Sequence, residues 1–192
     1  MKQQRNSREG EEQSPAEVLA RKITKSAKKR EWSVLLRDLF LTMAAVYLLF
    51  GVIFGISFVK GNSMEPNLRS GDMALFLRVG KNYRAGDVVI MHNTATNDYI
   101  KRVAAVEGDR VSIDNGSGVL MVNNKRVQED DIYSETYTRP EGIEFPLTVS
   151  KDNVFLLGDN REVSKDSREF GVVRTEQIAG KVLIIIRTQS KL

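Results

Sequence analysis

Leu39-Phe40-Leu41-Thr42-Met43-Ala44-Ala45-Val46-Tyr47-Leu48-Leu49-Phe50-Gly51-Val52-Ile53-Phe54-Gly55-Ile56-Ser57-Phe58-Val59 contains no charge and no proline. At about 1.5 Å of rise per residue, a helix of roughly 20 residues crosses the hydrocarbon core of a bilayer. A core helix of that length would show a polar face, and this run shows none. A cleavable signal peptide would have a shorter apolar region and a small-residue cleavage site. This run ends instead in Ser57-Phe58-Val59-Lys60. Residues 39–59 are therefore expected to form one transmembrane helix.

The flanking charges orient it. Arg21, Lys22, Lys25, Lys28, Lys29, Arg30 and Arg37 precede the span, and only Lys60 follows closely. The positive-inside rule assigns residues 1–38 to the cytoplasm and 60–192 to the outside. Residues 1 to about 30 are polar, and a stretch such as Gln3-Gln4-Arg5-Asn6-Ser7-Arg8-Glu9-Gly10 buries too little apolar surface to offset its ordering entropy. The tail is expected to be partly disordered. Topology accounts for the net charge of +4, so no nucleic-acid partner is expected. The basic cluster suits anionic lipid headgroups.

Composition narrows the chemistry. With 0 Cys there are no disulfides, no thiolate metal site and no thiol nucleophile. With 1 His, His92, a Ser-His-Asp triad must use that residue, and a multi-histidine metal site is impossible. No metal and no cofactor are expected.

Beyond Lys60 the pattern changes to short β-like runs: 73–77, 87–91, 99–106, 110–113, 119–122, 153–157 and 181–187. Turn signals separate them, among them Ser70-Gly71-Asp72, Ala85-Gly86-Asp87, Gly108-Asp109, Asn115-Gly116 and Asn123-Asn124. This spacing predicts a mostly β, antiparallel body. The segment from about 109 to 153 is richer in polar and turn residues and reads as a smaller β-rich insertion or cap.

Three segments carry candidate chemistry. Gly61-Asn62-Ser63-Met64-Glu65-Pro66 follows the span directly. Alone, Ser63 reads as a turn or helix-cap residue, with Pro66 opening a short helical turn. Lys101 stands in the apolar run Tyr99-Ile100-Lys101-Arg102-Val103. Either Lys101 and Arg102 form an exposed edge, or the lysine enters the interior. Burial would lower its pKa and free a neutral amine to take a proton from a serine hydroxyl. The third segment, Gly158-Asp159-Asn160-Arg161-Glu162-Val163-Ser164-Lys165-Asp166-Ser167-Arg168, crowds polar groups after an apolar strand. Gly158 permits backbone conformations that other residues resist. The loop is either merely solvated, or its carboxylate–guanidinium pairs brace a site in which Ser164 or Ser167 orients the lysine amine.

Together these segments resemble the bacterial type I signal peptidases, membrane-anchored Ser-Lys proteases, in their Gram-positive form. Ser63-Met64-Glu65-Pro66 is similar to the family's nucleophile box, Gly86-Asp87-Val88-Val89 to its Gly-Asp box, Lys101-Arg102-Val103 with Gly108-Asp109 to its general-base box, and 158–168 to its last box. All four stand in the family's order behind one amino-terminal span. The resemblance implies that Ser63 is the nucleophile, Lys101 the general base and Ser164 a hydrogen-bond partner of the lysine amine. It implies that Asp159, Asp166 and Arg168 keep the site in shape, with Asn160, Arg161 and Ser167 as supporting residues. The oxyanion hole would use the Ser63 N–H, because Gly61 lacks the hydroxyl that some members place two residues before the nucleophile. Asn67 departs from the family's usual Thr. Lys101 in place of a histidine indicates the bacterial branch, and His92 reads as structural.

The implied reaction is acyl transfer that removes signal peptides from exported preproteins at the outer membrane surface. A preference for small residues before the cut implies shallow apolar pockets, with Met64 and Pro66 as substrate-binding residues. Implied partners are preprotein signal peptides, membrane lipid and the secretion translocon. Two other readings fit parts of the chain: a self-cleaving repressor-type Ser-Lys protease, which the span argues against, and a catalytically silent membrane-tethered binding module, which should have lost Ser63 or Lys101.

Overall fold

The computed structural model describes residues 15–92, 98–129, 132 and 134–187. Part of the expected disordered tail, residues 1–14, lies outside them. The chain divides into two units, 1–47 and 48–192.

The described part of the first unit is one α-helix, α1 (Pro15–Tyr47). The tail is therefore helical from Pro15 rather than disordered to about residue 30. Its Ala, Leu, Glu, Lys and Arg are strong helix formers. The helical run Lys28–Ile53 is long and apolar enough to cross a membrane, and none of it is buried.

The expected span 39–59 runs past the end of the helix observed. Helical structure ends in a π-type turn, Leu48–Ile53, and Phe54–Phe58 is strand β1. Hydropathy alone does not separate an apolar strand from a membrane helix. What decides is pairing: β1 lies antiparallel to β2 (Met73–Leu77), with Gly55 opposite Phe76.

The second unit continues with β3 (Val88–His92), β4 (Asp98–Val106), β5 (Arg110–Asp114), β6 (Val119–Val122), β7 (Lys125–Arg126), β8 (Leu147–Thr148) and β9 (Asn153–Leu157). It closes with a single-turn helix α2 (Ser167–Phe170), β10 (Val173–Arg174) and β11 (Ile178–Ile186). The body is mostly β and antiparallel, as expected. The main sheet has the order β1-β2-β11-β3-β4-β9-β10. A second sheet, β7-β6-β5-β8, falls within residues 110–148. The strands missed from the sequence are β1, hidden in the apolar run, and the two-residue β7, β8 and β10. Asn123 and Asn124 both have positive φ, 55° and 62°, and form the turn between β6 and β7.

The order places β4 near the middle of the main sheet, flanked by β3 and β9. Val103 and Ala105 on β4, Val89 and Ile90 on β3, and Phe155, Leu156 and Leu157 on β9 have no exposed surface. One cluster packs Val89, Val103 and Leu156 with Ile178, and another packs Ala105 and Phe155 with Val111 and Leu120 of the second sheet. The Phe145 ring meets the Phe155 ring edge-on at 6.0 Å and ties the 143–149 segment to the same core.

Phe76 on β2 covers a glycine on each neighbouring strand. A Cβ on Gly55 would stand 2.2 Å from the tip of the Phe76 ring; one on Gly180 would stand 2.2 Å from the Leu77 carbonyl and 2.7 Å from the ring. The ring is 4 % exposed, so it has little room to yield. Gly55→Ala and Gly180→Ala should each lower the unfolding free energy of the detergent-solubilised chain by about 1–3 kcal/mol through overpacking. Ile56→Ala, at an exposed position, should change it by less than about 0.5 kcal/mol. Denaturant titration of the three variants checks this.

Candidate active site

Ser63 lies in an irregular turn that leaves β1 and returns to β2. Its chain path is set by Val59 N–H donating to the Asp72 carbonyl at 2.8 Å and by Leu68 N–H donating to the Met64 carbonyl at 2.8 Å. Residues 63–67 form turns rather than a helix, so Ser63 caps no helix. Its Oγ is 2.7 Å from Lys101 Nζ. Among the described residues no acceptor lies on the Ser63 N–H.

Lys101 is the fourth residue of β4, opposite Val89 of β3. It is not on an exposed edge: only 2 % of its surface is accessible. Nζ also donates to the Ile100 carbonyl at 3.2 Å and lies 5.4 Å from the centre of the Tyr99 ring. Burial pushes the amine down from its ordinary 10.5 to about 8, against the Asp166 and Asp159 carboxylates, which favour the charged form. As an ammonium, Lys101 donates to Ser63 Oγ. As a neutral amine at the same distance, it can accept the hydroxyl proton.

The 158–168 segment is folded inward. Asp159, Arg161, Ser164, Asp166, Ser167 and Arg168 are each at most 1 % exposed. Arg102 grips Asp159 with two bonds, Nε to Oδ1 at 2.8 Å and a terminal nitrogen to Oδ2 at 2.6 Å, and Asn67 Nδ2 adds a third at 2.9 Å. The departure at position 67 thus supplies an amide donor to this carboxylate. Asp166 accepts two bonds from the Arg168 guanidinium, both at 2.9 Å, and one from Gly158 N–H at 3.1 Å. Asp166 also caps α2 by accepting from Arg168 N–H at 3.2 Å. Ser167 Oγ accepts from Leu156 N–H at 2.9 Å and so faces β9, not the lysine. Asn160 N–H donates to the Ser63 carbonyl at 3.0 Å, which joins this loop to the Ser63 turn.

Two expectations about this loop are revised. Gly158 is needed for space rather than for its φ: a Cβ there would lie 2.1 Å from Ser164 Oγ and 2.6 Å from the Ser63 carbonyl. Ser164 does not hydrogen-bond the lysine in this structure; its Oγ is buried without a partner. Met64 is 2 % exposed and packs with Val59, Leu68, Phe76, Ile90 and Ile100, because an unbranched thioether fills an irregular gap well. Pro66 is exposed. His92 is exposed and its Nδ1 lies 2.8 Å from Asp98 Oδ1. Among the described residues no cluster of His, Asp and Glu could hold a metal ion.

Sequence reasoning missed several polar residues of the insertion. Arg161 donates through Nε to the Gly158 carbonyl at 2.9 Å, and its terminal nitrogens reach Glu129 and Thr136. Arg139 donates to main-chain carbonyls of the same loop. Charged residues in a turn-rich stretch read as solvated, and no spacing in the sequence marks Glu129, Thr136 or Arg139 as inward-facing.

The family described as signal peptidase, peptidase S26, matches residues 31–187. The chain belongs to the S26 signal peptidase family. The signal peptidase IB of Staphylococcus aureus (strain COL) is 38 % identical over 141 residues, covering 65 % of this chain and 73 % of that one. The signal peptidase I of Bacillus caldolyticus is 33 % identical over 158 residues, covering 74 % and 85 %. A crystal structure of a signal peptidase I from Enterococcus faecalis V583 covers 54 % of this chain and 97 % of its own with a TM-score of 0.43 at 27 % identity. This signal peptidase is a serine endopeptidase whose substrates are preproteins bearing signal peptides.

The Asp166–Arg168 pair has both side chains at most 1 % exposed. Removing one partner of such a pair leaves the other charge buried alone. Asp166→Asn should therefore destabilise the signal peptidase by about 3–5 kcal/mol. The unfolding midpoint in denaturant, compared with wild type, checks this.

Proposed function

We propose that this signal peptidase works through a Ser63–Lys101 dyad on the outer face of the cell membrane. The observation that carries the reading is the 2.7 Å approach of a buried lysine amine to the Ser63 hydroxyl. The downward shift of that amine to about 8 supports it, because a neutral amine is then available near physiological pH.

Ser63 Oγ attacks the scissile carbonyl carbon while its proton passes to Lys101 Nζ. The tetrahedral oxyanion is held by the Ser63 N–H; Gly61 contributes no hydroxyl. As the C–N bond breaks, Nζ returns the proton to the departing amine, leaving an ester on Ser63. Water then attacks the ester carbon and gives a proton to Nζ. As the bond from that carbon to Ser63 Oγ breaks, Nζ passes the proton to Oγ, which releases the signal peptide's new carboxyl end and regenerates the Ser63 hydroxyl and the neutral amine. Asp159, Asp166 and Arg168 keep the loop beside the amine in place. Ser164, whose buried hydroxyl has no other partner, offers the amine a hydrogen bond when the lysine turns during the cycle.

The amino-terminal helix anchors the enzyme with its basic end in the cytoplasm. Arg30 and Lys28 before the apolar run and a single nearby Lys60 after it support that orientation. Lipid contacts follow from the exposed apolar helix, and delivery of substrates by the translocon follows from their membrane-bound signal segments.

Cleavage of a preprotein with an Ala-x-Ala site in liposomes tests the dyad. Ser63→Ala and Lys101→Met, each folded, should lose at least about a thousandfold in kcat/KM. Normal cleavage by Lys101→Met would remove lysine from the mechanism. The pH profile supplies a second test. The reactive form is the neutral amine, so the rate should fall as pH drops through about 8, by about tenfold per pH unit on the acid side. A flat profile from pH 6 to 9 would contradict the assignment of the base.

A further inference from the structure

The loop that carries Ser164 is bonded to the nucleophile at one end and to the insertion at the other. At the first end, Asn160 N–H donates to the Ser63 carbonyl at 3.0 Å and Ser164 N–H donates to the Asn160 carbonyl at 3.1 Å. At the other end, one terminal nitrogen of Arg139 donates to the carbonyls of Arg161 at 2.9 Å, Glu162 at 2.8 Å and Ser164 at 3.2 Å. Three carbonyl dipoles that converge on one point repel one another unless a cation or donor sits between them. Arg139 is that donor.

The position of Arg139 is itself fixed. Gly142 N–H donates to the Arg139 carbonyl at 3.0 Å, and Ile143 N–H donates to the Arg168 carbonyl at 3.0 Å. A Cβ on Gly142 would stand 2.3 Å from that same Arg168 carbonyl, so only glycine lets the 139–143 turn lie this close to α2. Arg139 Nε faces Glu169 Oε1 at 3.9 Å. Among the described residues, Arg139 makes no hydrogen bond to the Ser63 or Lys101 side chain.

We propose that Arg139 is a positioning residue for peptide cleavage, holding the main chain of the Ser164 turn in register with Ser63 and Lys101. The proposal rests on the dyad reading above. The turn packs against Ser63, since a Cβ on Gly158 would stand 2.1 Å from Ser164 Oγ and 2.6 Å from the Ser63 carbonyl. On this proposal it differs from a purely structural brace in sharing the burial of the amine that Ser63 contacts. The charged groups around Lys101 are Asp159, paired with Arg102, and Asp166, paired with Arg168; both carboxylates already favour the ammonium. When the turn loosens, water reaches Nζ, desolvation weakens, and the amine shifts back upward. Less of it is then neutral at a given pH.

The test uses the full chain in liposomes with the same preprotein. Arg139→Ala should lower kcat roughly ten- to a hundredfold, the loss expected of a misplacement by about 1 Å. KM should stay near wild type, because the substrate still binds the same surface. The acid limb of the pH profile should move to higher pH. Arg139→Lys, which keeps a cationic donor, should recover part of the rate, and it also serves if the alanine variant does not fold. In a Ser164→Ala background, Arg139→Ala should cost less than it does in wild type, since the two act on one turn. Wild-type kcat in Arg139→Ala overturns the proposal. So does a rate loss with an unmoved acid limb and full additivity with Ser164→Ala. Ser63→Ala and Lys101→Met run alongside: activity in either means that the dyad reading has failed, whereas silence in both with a normal Arg139→Ala means that only the role of Arg139 has.

Discussion

The removal of one lysine amine from water is the constraint on which the site depends. A charged amine buried in apolar surroundings is strongly disfavoured, and its pKa falls to reduce that cost. β4 lies inside the main sheet between β3 and β9, which fixes the position of Lys101 but does not by itself bury its side chain. Arg102, the next residue on the same strand, keeps 21 % of its side chain accessible, so the burial of the amine comes from what packs over the face that Lys101 enters. The Ser63 turn then closes over the amine, with Met64 and Leu68 packed against Ile90 and Ile100 beneath it. Core formation and burial of the amine are thus one event. The apolar contacts that stabilise the body are the same contacts that desolvate the amine.

The polar loop beside it follows a different rule. Asp159, Arg161, Asp166 and Arg168 are buried with their charges paired and their remaining donors spent on main-chain carbonyls. Such pairs add little net stability over an apolar core of the same shape, yet they are strongly destabilising when half removed. Their effect is geometric. Arg168 reaches the carbonyls of Arg161 and Tyr137, and Arg161 reaches Gly158, Thr136 and Glu129, so the loop and the insertion are cross-linked several times. The carboxylates also hold the lysine pKa up, so the value near 8 is a balance between desolvation and their field.

Much of this was legible in the sequence, for identifiable reasons. Runs such as Met73–Leu77, Val119–Val122 and Asn153–Leu157 are bounded by turn residues on both sides and lie where periodicity puts them. The pairing of Ser63 with Lys101 rested on motif order, since 38 positions separate them and no local pattern joins them. The end of the helix was not legible. Phe54–Phe58 is as apolar as the residues before it, and only its pairing with β2 makes it a strand. Nor were Glu129 and Arg139, because burial of a charged side chain is decided by partners distant in sequence. The role of Gly158 was misread for a related reason: crowding by Ser164 and Ser63 is a tertiary fact, whereas backbone freedom is a local one.

The bonds from Arg139 and Arg168 to the 161–164 turn end on main-chain carbonyls. A carbonyl is present whatever the side chain, so only one end of each link can be altered by substitution. Glu162, Val163 and Lys165 point outward between these anchored positions. They are free to diverge in charge and size without disturbing the loop's path. This separates inheritance of the loop's shape, held by two arginines, from inheritance of its surface. A lineage can therefore retune what this loop presents to passing chains while its path beside Ser63 stays fixed.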